Sequence, residues 1–268
     1  MSRMQGPLSA LRQLPRRVAA DGAVVLAYHD VVADDAVATG LTVGRHRFER
    51  HLDVLTALGL EVVSLSRLVD ALVGGERMKG LAAITFDDAL LGVHDQAMPA
   101  LTDRAMTATV FTVTGHLGVR PPWWPAMQRT VDPDELATLH AAGLELASHT
   151  VNHASLPSLS PAQVEYELST SRQELELLSG ARVDLLAYPS GHHSPSVRVQ
   201  VAEAGYRAAF TFLNGRITGG EDRLVLPRLT MGAHVTSTRL RYHLLRSAPS
   251  WPDHQADSVG PDRGVDSQ

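Results

Sequence analysis

The chain has 268 residues, a hydrophobic fraction of 44%, a net charge of −5 and no cysteine. This length accommodates a single α/β domain with one large core, and the slightly acidic balance excludes a general attraction for nucleic acid or for an anionic membrane surface. The absence of cysteine excludes disulfide bonds and thiolate ligands, so any metal site must use His, Asp, Glu or water.

The two ends of the sequence differ in composition from its centre. Residues 1–20 contain four arginines and no acidic residue, and polar residues interrupt every apolar stretch that would serve as a secretory signal. We predict a flexible basic arm over 1–20, one domain over 21–247 and a disordered tail over 248–268. The sequence has no run of about 18 apolar residues to span a bilayer, which predicts a cytoplasmic protein.

Strands and helices alternate along the predicted domain. Short apolar runs predict strands at 24–28, 61–65, 82–86, 108–113, 144–147, 184–188, 208–212 and 224–229. Apolar stripes with helical spacing begin at Phe48, Val164 and Val197. Asp132 and Ser160 each precede a proline, which is a typical start signal for a helix. The acidic residues of the second stripe are predicted to form its solvated face: Glu165, Glu167, Glu174 and Glu176.

This alternation indicates a largely parallel sheet, either closed as a barrel or open and doubly wound. A glycine-rich phosphate loop is missing after the first strand, where Tyr28, His29 and Asp30 stand instead, and this disfavours a nucleotide-binding doubly wound fold. The long connections at 30–46 and 114–132 are predicted to be functional βα loops.

Two clusters of acidic and imidazole side chains follow predicted strands. Asp87 and Asp88 form the first cluster, and His149 and His153 form the second. One carboxylate and two imidazoles leave an open coordination position for water, as in catalytic zinc sites, and the second carboxylate is free to take a proton. If a helical turn begins at His149, the i, i+4 spacing places both rings on one face. Each cluster alone also has an ordinary explanation, namely a turn or helix cap for the Asp pair and chance spacing for the His pair.

Three segments, in this order, resemble the motifs of the polysaccharide deacetylase family, also called the NodB-homology domain. They are Thr-Phe-Asp-Asp at 85–88, His-Thr-Val-Asn-His at 149–153 and Ala-Tyr-Pro-Ser-Gly at 187–191. The Tyr-His pair at 28–29 is similar to that of poly-N-acetylglucosamine deacetylases. The resemblance implies an α/β fold, a distorted (β/α) barrel of seven to eight strands. It also implies one divalent metal held by Asp88, His149 and His153. Zinc (Zn²⁺) is the expected ion, with Co²⁺, Ni²⁺ or Mn²⁺ as alternatives.

The resemblance further implies a role for each remaining site residue. Asp87 is the expected general base, acting on metal-bound water as the nucleophile, and the backbone N–H of Ser190, with Tyr188 beside it, is expected at the oxyanion or substrate. His29 is the expected general acid, because the Leu-x-His motif of other members is missing near the C-terminus, where His234 is the nearest substitute. A structural histidine is the alternative interpretation of His29.

Two positions depart from the family pattern. Ala187 stands where the family often has an arginine that orients the catalytic carboxylate, and Arg228, at the end of another predicted strand, is the candidate to replace it. The aromatic residue expected at Ser190 is also missing. Trp123 and Trp124, in the long loop after the fourth strand, either contact a sugar ring or seal the rim of the barrel.

Together these residues predict a hydrolase that removes acetyl groups from N-acetylated amino sugars in a polysaccharide, an oligosaccharide or a glycoconjugate. Two alternatives remain open: a related metal-dependent hydrolase of a non-sugar amide or cyclic imide, and a carbohydrate-binding pseudoenzyme. The four intact motif residues count against the pseudoenzyme, since a binding module has no evident need for them. The expected partner is an N-acetylated carbohydrate, nucleic acid is not expected, and the oligomeric state stays open.

Overall fold

A computed structural model describes residues 21–36, 40–124 and 128–245. The predicted basic arm over 1–20 and the predicted tail over 248–268 lie outside the described residues. Within the described ranges, no helix combines the length and the apolar composition that crossing a bilayer requires.

Eight strands form one curled sheet, and two more form a short separate pair in the described part of the chain. All of the paired strands run parallel. Continuous apolar runs suit such a sheet because both of its faces are covered. In chain order the strands are β1 (Val24–Tyr28), β2 (Asp30–Val32), β3 (Thr42–Gly44), β4 (Glu61–Val62), β5 (Leu81–Phe86), β6 (Thr109–Thr112), β7 (Glu145–Ser148), β8 (Leu185–Ala187), β9 (Ala208–Phe210) and β10 (Leu229–Thr230).

The sheet curls until its two edges approach each other. Its order is β10-β1-β5-β6-β7-β8-β9, with β4 beside the first residues of β5. Leu226 donates to the Ala209 carbonyl and accepts from the Thr211 N–H at one edge, while Leu229 lies opposite Leu26 of β1 at the other. The segment around 226–230 therefore links both edges, and the distorted (β/α) barrel implied by the family resemblance is confirmed.

Helices connect the strands and cover the sheet. The start signal at Asp132 is confirmed: its carboxylate accepts from the Glu135 N–H at 2.9 Å, and the Glu135 carboxylate accepts from the Asp132 N–H at 2.8 Å. At Ser160, the N–H donates to the side chain of Gln163 at 3.0 Å. In chain order the α-helices are α1 (Arg45–Ala57), α2 (Leu65–Val73), α3 (Met98–Thr102), α4 (Pro133–Ala141), α5 (Pro161–Ser179), α6 (Pro195–Glu203) and α7 (Ser237–Leu245).

The end of β1 is fixed by aromatic and polar contacts in the core. Tyr28 packs edge-on against Phe48 of α1, with 5.2 Å between ring centroids. The Tyr28 hydroxyl donates to Nδ1 of His51 at 3.0 Å, and Nε2–H of His51 donates to the Val235 carbonyl at 3.0 Å. Because a carbonyl only accepts, this chain of bonds fixes the neutral tautomer of His51. The residue that follows Tyr28 is His29, so these contacts position the backbone of a candidate site residue.

The predicted strand at 61–65 is too long. It ends at Val62, and the Ser64 side chain accepts from the Arg67 N–H at 3.2 Å. Serine at this position caps a helix, so α2 begins where the apolar run had predicted more strand.

Two other stretches also differ from their predictions. The predicted strand at 224–229 is limited to an isolated bridge between Leu226 and Phe210 and to β10, because Pro227 in its middle has no N–H to donate. The predicted loop at 30–46 instead contains β2 and β3, which pair with each other, and the first residues of α1.

Candidate metal centre and active site

The candidate site lies at the carboxyl ends of the parallel strands, where barrel enzymes place their chemistry. Asp87 and Asp88 follow β5, His149 follows β7, and Ser190 lies beyond β8. One ligand atom from each of Asp88, His149 and His153 lies within 4.8 Å of the other two. The structure therefore brings the three predicted metal ligands together.

Asp88 is a buried carboxylate, and one of its two oxygens, Oδ1, has no hydrogen-bond partner among the described residues. Its Oδ1 atom lies 3.7 Å from His149 Nε2 and 3.5 Å from His153 Nε2, and it accepts no hydrogen bond from the described residues. Burial, and then the charge of Asp87, raise the pKa of Asp88 to about 8. A cation between these atoms would offset the cost of the buried charge, so Asp88 fits a metal ligand.

The two histidines are oriented and neutral, as metal ligands must be. His149 Nδ1–H donates to the carbonyl of Ala187 at 2.8 Å, which leaves Nε2 to face Asp88. Burial lowers the pKa of His149. Burial, and then the repulsion that a protonated His149 would exert, lower the pKa of His153 to about 2. Two neutral imidazoles and one carboxylate form a donor set that suits zinc.

The segment between the two histidines is a loop and not the helical turn considered from their spacing. Thr150 and His153 adopt left-handed conformations, with φ of 68° and 56°, and Asp88 does so at 70°. Such conformations are costly for residues other than glycine and cluster at functional sites. The two imidazole rings still meet, with 5.0 Å between their centroids, because this strained loop folds them together.

Each of two neighbouring tryptophans contacts a different histidine of the site. The ring of Trp123 stacks on His153, with 4.3 Å between centroids and 7° between planes. Trp124 meets His29 edge-on, with centroids 5.8 Å apart. His153 thus covers one face of Trp123, and sugar contact by either indole stays a prediction.

Asp87 is paired with Arg228, and both side chains are fully buried. Nη1 of the guanidinium donates to Oδ1 at 2.7 Å and Nη2 donates to Oδ2 at 2.8 Å. Burial is the largest single influence and acts to raise the pKa of Asp87, but the charge and hydrogen bonds of Arg228, together with the nearby imidazoles of His149 and His29, outweigh burial and place this pKa at about 2. Arg228 reaches the carboxylate from the segment that links the edges of the sheet, whereas Ala187 offers only its carbonyl, to His149.

His29, the candidate acid, is a buried ring beside the same centre. It stacks on Phe212, with 5.6 Å between centroids and 13° between planes. Its Nδ1 atom is buried and has no hydrogen-bond partner among the described residues. Burial lowers the pKa of His29 to about 4, although the charge of Asp87 opposes the shift. An imidazole with an unpaired polar atom differs from His51, whose two nitrogens are both hydrogen-bonded.

The remaining predicted residues take different positions. Ser190 is exposed and has a left-handed φ of 54° in the turn after β8. The side chain of Tyr188 is fully buried, and its hydroxyl donates to the Leu224 carbonyl at 3.0 Å. Its ring is therefore part of the core, and a role for Tyr188 at the substrate stays a prediction. His234, the alternative acid, is half-buried between β10 and α7.

Glu167 is buried, so the prediction that it lies on the solvated face of α5 was wrong. Its Oε2 atom accepts from the N–H groups of Val151 and Asn152, at 2.8 and 2.9 Å, inside the loop that joins the two histidines. Helical spacing was the signal that could have found it, because Glu167 falls within the buried stripe of α5, which comprises Val164, Glu167, Leu168, Ser171 and Leu175.

Comparison with known families identifies the family of this chain. A family model described as polysaccharide deacetylase matches residues 74–209, about half of the chain. The chain belongs to the polysaccharide deacetylase family. The matched region contains the Asp pair and both histidines of the candidate metal centre, whereas His29 and Arg228 lie outside it.

Similar proteins extend the likeness to most of the chain. YxkH of Bacillus subtilis, a candidate polysaccharide deacetylase, is 21% identical over 215 residues, which is 80% of this chain and 73% of YxkH. A poly-β-1,6-N-acetyl-D-glucosamine N-deacetylase of Staphylococcus aureus is 23% identical over 197 residues, 70% of this chain and 67% of that protein. The structure of the Streptococcus pyogenes deacetylase PplD in complex with acetate has a TM-score of 0.73 at 22% identity and covers 83% of this chain and 98% of PplD. The structural likeness supports the barrel fold.

Proposed function

We propose that this family member is a metal-dependent hydrolase that removes acetyl groups from N-acetylated amino sugars. The observation that supports it most is the cluster of Asp88 and His149, both buried, with the half-buried His153, beside the carboxylate of Asp87, which Arg228 holds by two hydrogen bonds. We place the activity in one domain over 21–247. Because the Staphylococcus aureus relative acts on poly-β-1,6-N-acetyl-D-glucosamine, we propose N-acetylglucosamine in a polymer, oligomer or glycoconjugate as the substrate.

The metal would be held by Asp88, His149 and His153. Zinc is the expected ion, and Co²⁺, Ni²⁺ or Mn²⁺ are the alternatives. When bound, the ion supplies Lewis acidity at the acetyl carbonyl and lowers the pKa of water. The chain itself restricts both imidazoles, since the Ala187 carbonyl holds His149 and Trp123 stacks on His153. This restriction keeps the ligand nitrogens turned toward Asp88.

Asp87 accepts a proton from the attacking water in this proposal. Its pKa of about 2 keeps the carboxylate ionised at neutral pH, and Arg228 fixes both of its oxygens. The guanidinium cannot turn away, because it also donates to the Thr211 carbonyl at 3.1 Å and to Thr85 Oγ1 at 3.3 Å. The pairing therefore lowers the basicity of Asp87 but fixes its orientation toward the site.

His29 passes a proton to the leaving nitrogen. In the free site the imidazole is neutral at pH 7, since its pKa is about 4, and it must gain a proton before it can act. Asp87 has the lower pKa, about 2, so it passes the proton that it took from water to His29. Once water has added to the acetyl carbon, the nitrogen is a stronger base than imidazole; it takes this proton as the carbon–nitrogen bond breaks, and it leaves as the free amine. His29 thus serves as a relay that is charged only during the reaction.

Ser190 and Trp124 complete the proposed site. The backbone N–H of Ser190 donates to the acetyl oxygen as negative charge develops there. The next residue is glycine for a steric reason, because a Cβ at Gly191 would lie 3.0 Å from the backbone nitrogen of Phe212. The ring of the same Phe212 stacks on His29. Trp124, beside His29, offers an apolar surface for the sugar ring.

Acetate release tests the proposal. Chelator-treated protein is incubated with N-acetylglucosamine oligomers and glycosides, with and without added Zn²⁺ or Co²⁺, and His149→Ala serves as the control that cannot assemble the metal centre. We expect release from the wild-type protein only when metal is present. Bound metal without release would favour the non-sugar amide or cyclic imide, and a protein that binds no metal would favour the carbohydrate-binding pseudoenzyme.

A further inference from the structure

A buried carboxylate holds the loop that joins the two candidate metal-binding histidines. Glu167 of α5 is 4% exposed. Its Oε2 atom accepts from the consecutive N–H groups of Val151 and Asn152, and its Oε1 atom accepts from the Asn152 side chain at 2.7 Å. All three bonds fall on the residues between His149 and His153, so both oxygens of Glu167 are directed at this loop.

The loop needs such support because its backbone conformation is unfavourable. Two of its residues have left-handed φ values without being glycine, and the N–H groups of Val151 and Asn152 point at one acceptor instead of forming a regular turn. Without that acceptor, the Val151 N–H would be a buried donor with no partner. Glu167 therefore stabilises the particular loop shape that brings the two imidazoles to Asp88.

A second contact from the same helix reinforces this attachment. Ser171, one turn further along α5, hydrogen-bonds through its hydroxyl to Ser148 Oγ at 2.8 Å. Ser148 in turn accepts from the Thr150 N–H at 3.1 Å. The loop is thus joined to α5 on both sides of Val151, and the helix acts as the rigid base on which it is held.

We propose that Glu167 is a positioning residue that sets the affinity of the metal centre by fixing the relative placement of His149 and His153. This inference rests on the proposed metal-dependent function. Glu167 does not contact the ligand nitrogens or the reacting atoms, so it acts through the loop alone. Groups that orient metal ligands commonly contribute 10-fold to 100-fold to metal affinity.

Metal affinity and amide exchange test this inference together. The variants are Glu167→Gln, which removes the charge and turns one acceptor into a donor, and Asn152→Ala, which removes one of the three bonds. Glu165→Gln on the exposed face of the same helix is the matched control. Zinc affinity is measured by competition with a coloured chelator, and hydrogen exchange of the Val151 and Asn152 amides is measured in the metal-free protein.

We expect Glu167→Gln to weaken zinc binding by about 10-fold to 100-fold and to speed exchange of both amides. A smaller loss is expected for Asn152→Ala, and none for Glu165→Gln. A folded Glu167→Gln variant with wild-type zinc affinity would overturn the inference and leave the proposed function standing. If Glu167→Gln does not fold, unchanged zinc affinity in Asn152→Ala would overturn the inference instead. A wild-type protein that binds no zinc would overturn both, so the two failures are distinguishable.

Discussion

Replacing Arg228 by methionine removes the cation that compensates Asp87 while keeping much of the side-chain volume. The wild-type guanidinium makes two short hydrogen bonds to the carboxylate, one to the Thr211 carbonyl and one to the Thr85 hydroxyl. The central carbon of the guanidinium, Cζ, also lies 5.3 Å from the ring centroid of Phe111. After the substitution, the Asp87 carboxylate would stay in a fully buried site with no guanidinium beside it.

The expected cost follows from that burial. Breaking a buried ion pair by removing one partner typically destabilises a protein by about 3–5 kcal/mol. For a domain of this size such a loss lowers the melting temperature by about 10 °C. Burial would then be opposed only by the nearby imidazoles, so the pKa of Asp87 would rise from its present value of about 2. Turnover at neutral pH should fall because less of the base is ionised and the remainder is poorly oriented.

Urea unfolding of Arg228→Met, Asp87→Asn and the double variant measures the pairing directly, and Arg228→Lys tests geometry against charge. We expect the double variant to be more stable than the sum of the single losses predicts, by about 2–3 kcal/mol. Lysine keeps the charge but not the two-point contact, so Arg228→Lys should retain more stability than Arg228→Met while still losing turnover. Additive losses in the cycle, together with normal turnover in Arg228→Met, would refute the reasoning.

Three further predictions concern the surroundings of the site. His29→Gln should lower turnover by about 10²-fold to 10⁴-fold without changing metal content, and an unchanged rate would rule out its role as the acid. Trp123→Ala should weaken zinc binding by up to about 10-fold, because the stack on His153 contributes about 0.5–1.5 kcal/mol. Trp123→Phe should keep most of the zinc affinity. Equal zinc affinity in the wild type and both variants would contradict this prediction. The pKa of His51 in the folded protein is about 4, below its ordinary value of 6.5, so its contribution to stability is present above pH 6.5 and is lost as the pH falls toward 4. Unfolding free energies at pH 7 and pH 5 should therefore differ less in His51→Gln than in the wild type, and an equal difference in both would contradict the assignment.

The sequence was most informative where the chemistry is local. Asp87 and Asp88 stand directly after one apolar strand and His149 directly after another, so the parallel topology alone indicates that they meet at one end of the sheet. Their grouping depends on β5 and β7 lying on either side of β6. Short motifs at strand ends thus contained enough information to predict that the Asp pair and the two histidines meet, whereas the choice of Asp88 as the metal ligand came from the family resemblance.

Contacts between distant parts of the chain were harder to predict. Arg228 lies 141 residues after Asp87, and only the missing family arginine at Ala187 pointed to it. For Glu167, charge alone suggested a solvated residue, although its place in the apolar stripe of α5 indicated burial. The loop from His149 to His153 was considered as a helical turn because spacing describes regular structure only, whereas its left-handed residues depend on tertiary hydrogen bonds.

The central claim divides the site into a metal-holding set and a separate base, and one substitution separates the two. Zinc content and acetate release are measured for Asp87→Asn beside the wild-type protein, with folding checked by its unfolding transition. We predict one zinc ion per chain in both proteins and acetate release from the wild type alone, because Asp88, His149 and His153 remain while the proton acceptor is lost. Loss of zinc from a folded Asp87→Asn variant, or acetate release at the wild-type rate, would contradict this division of roles.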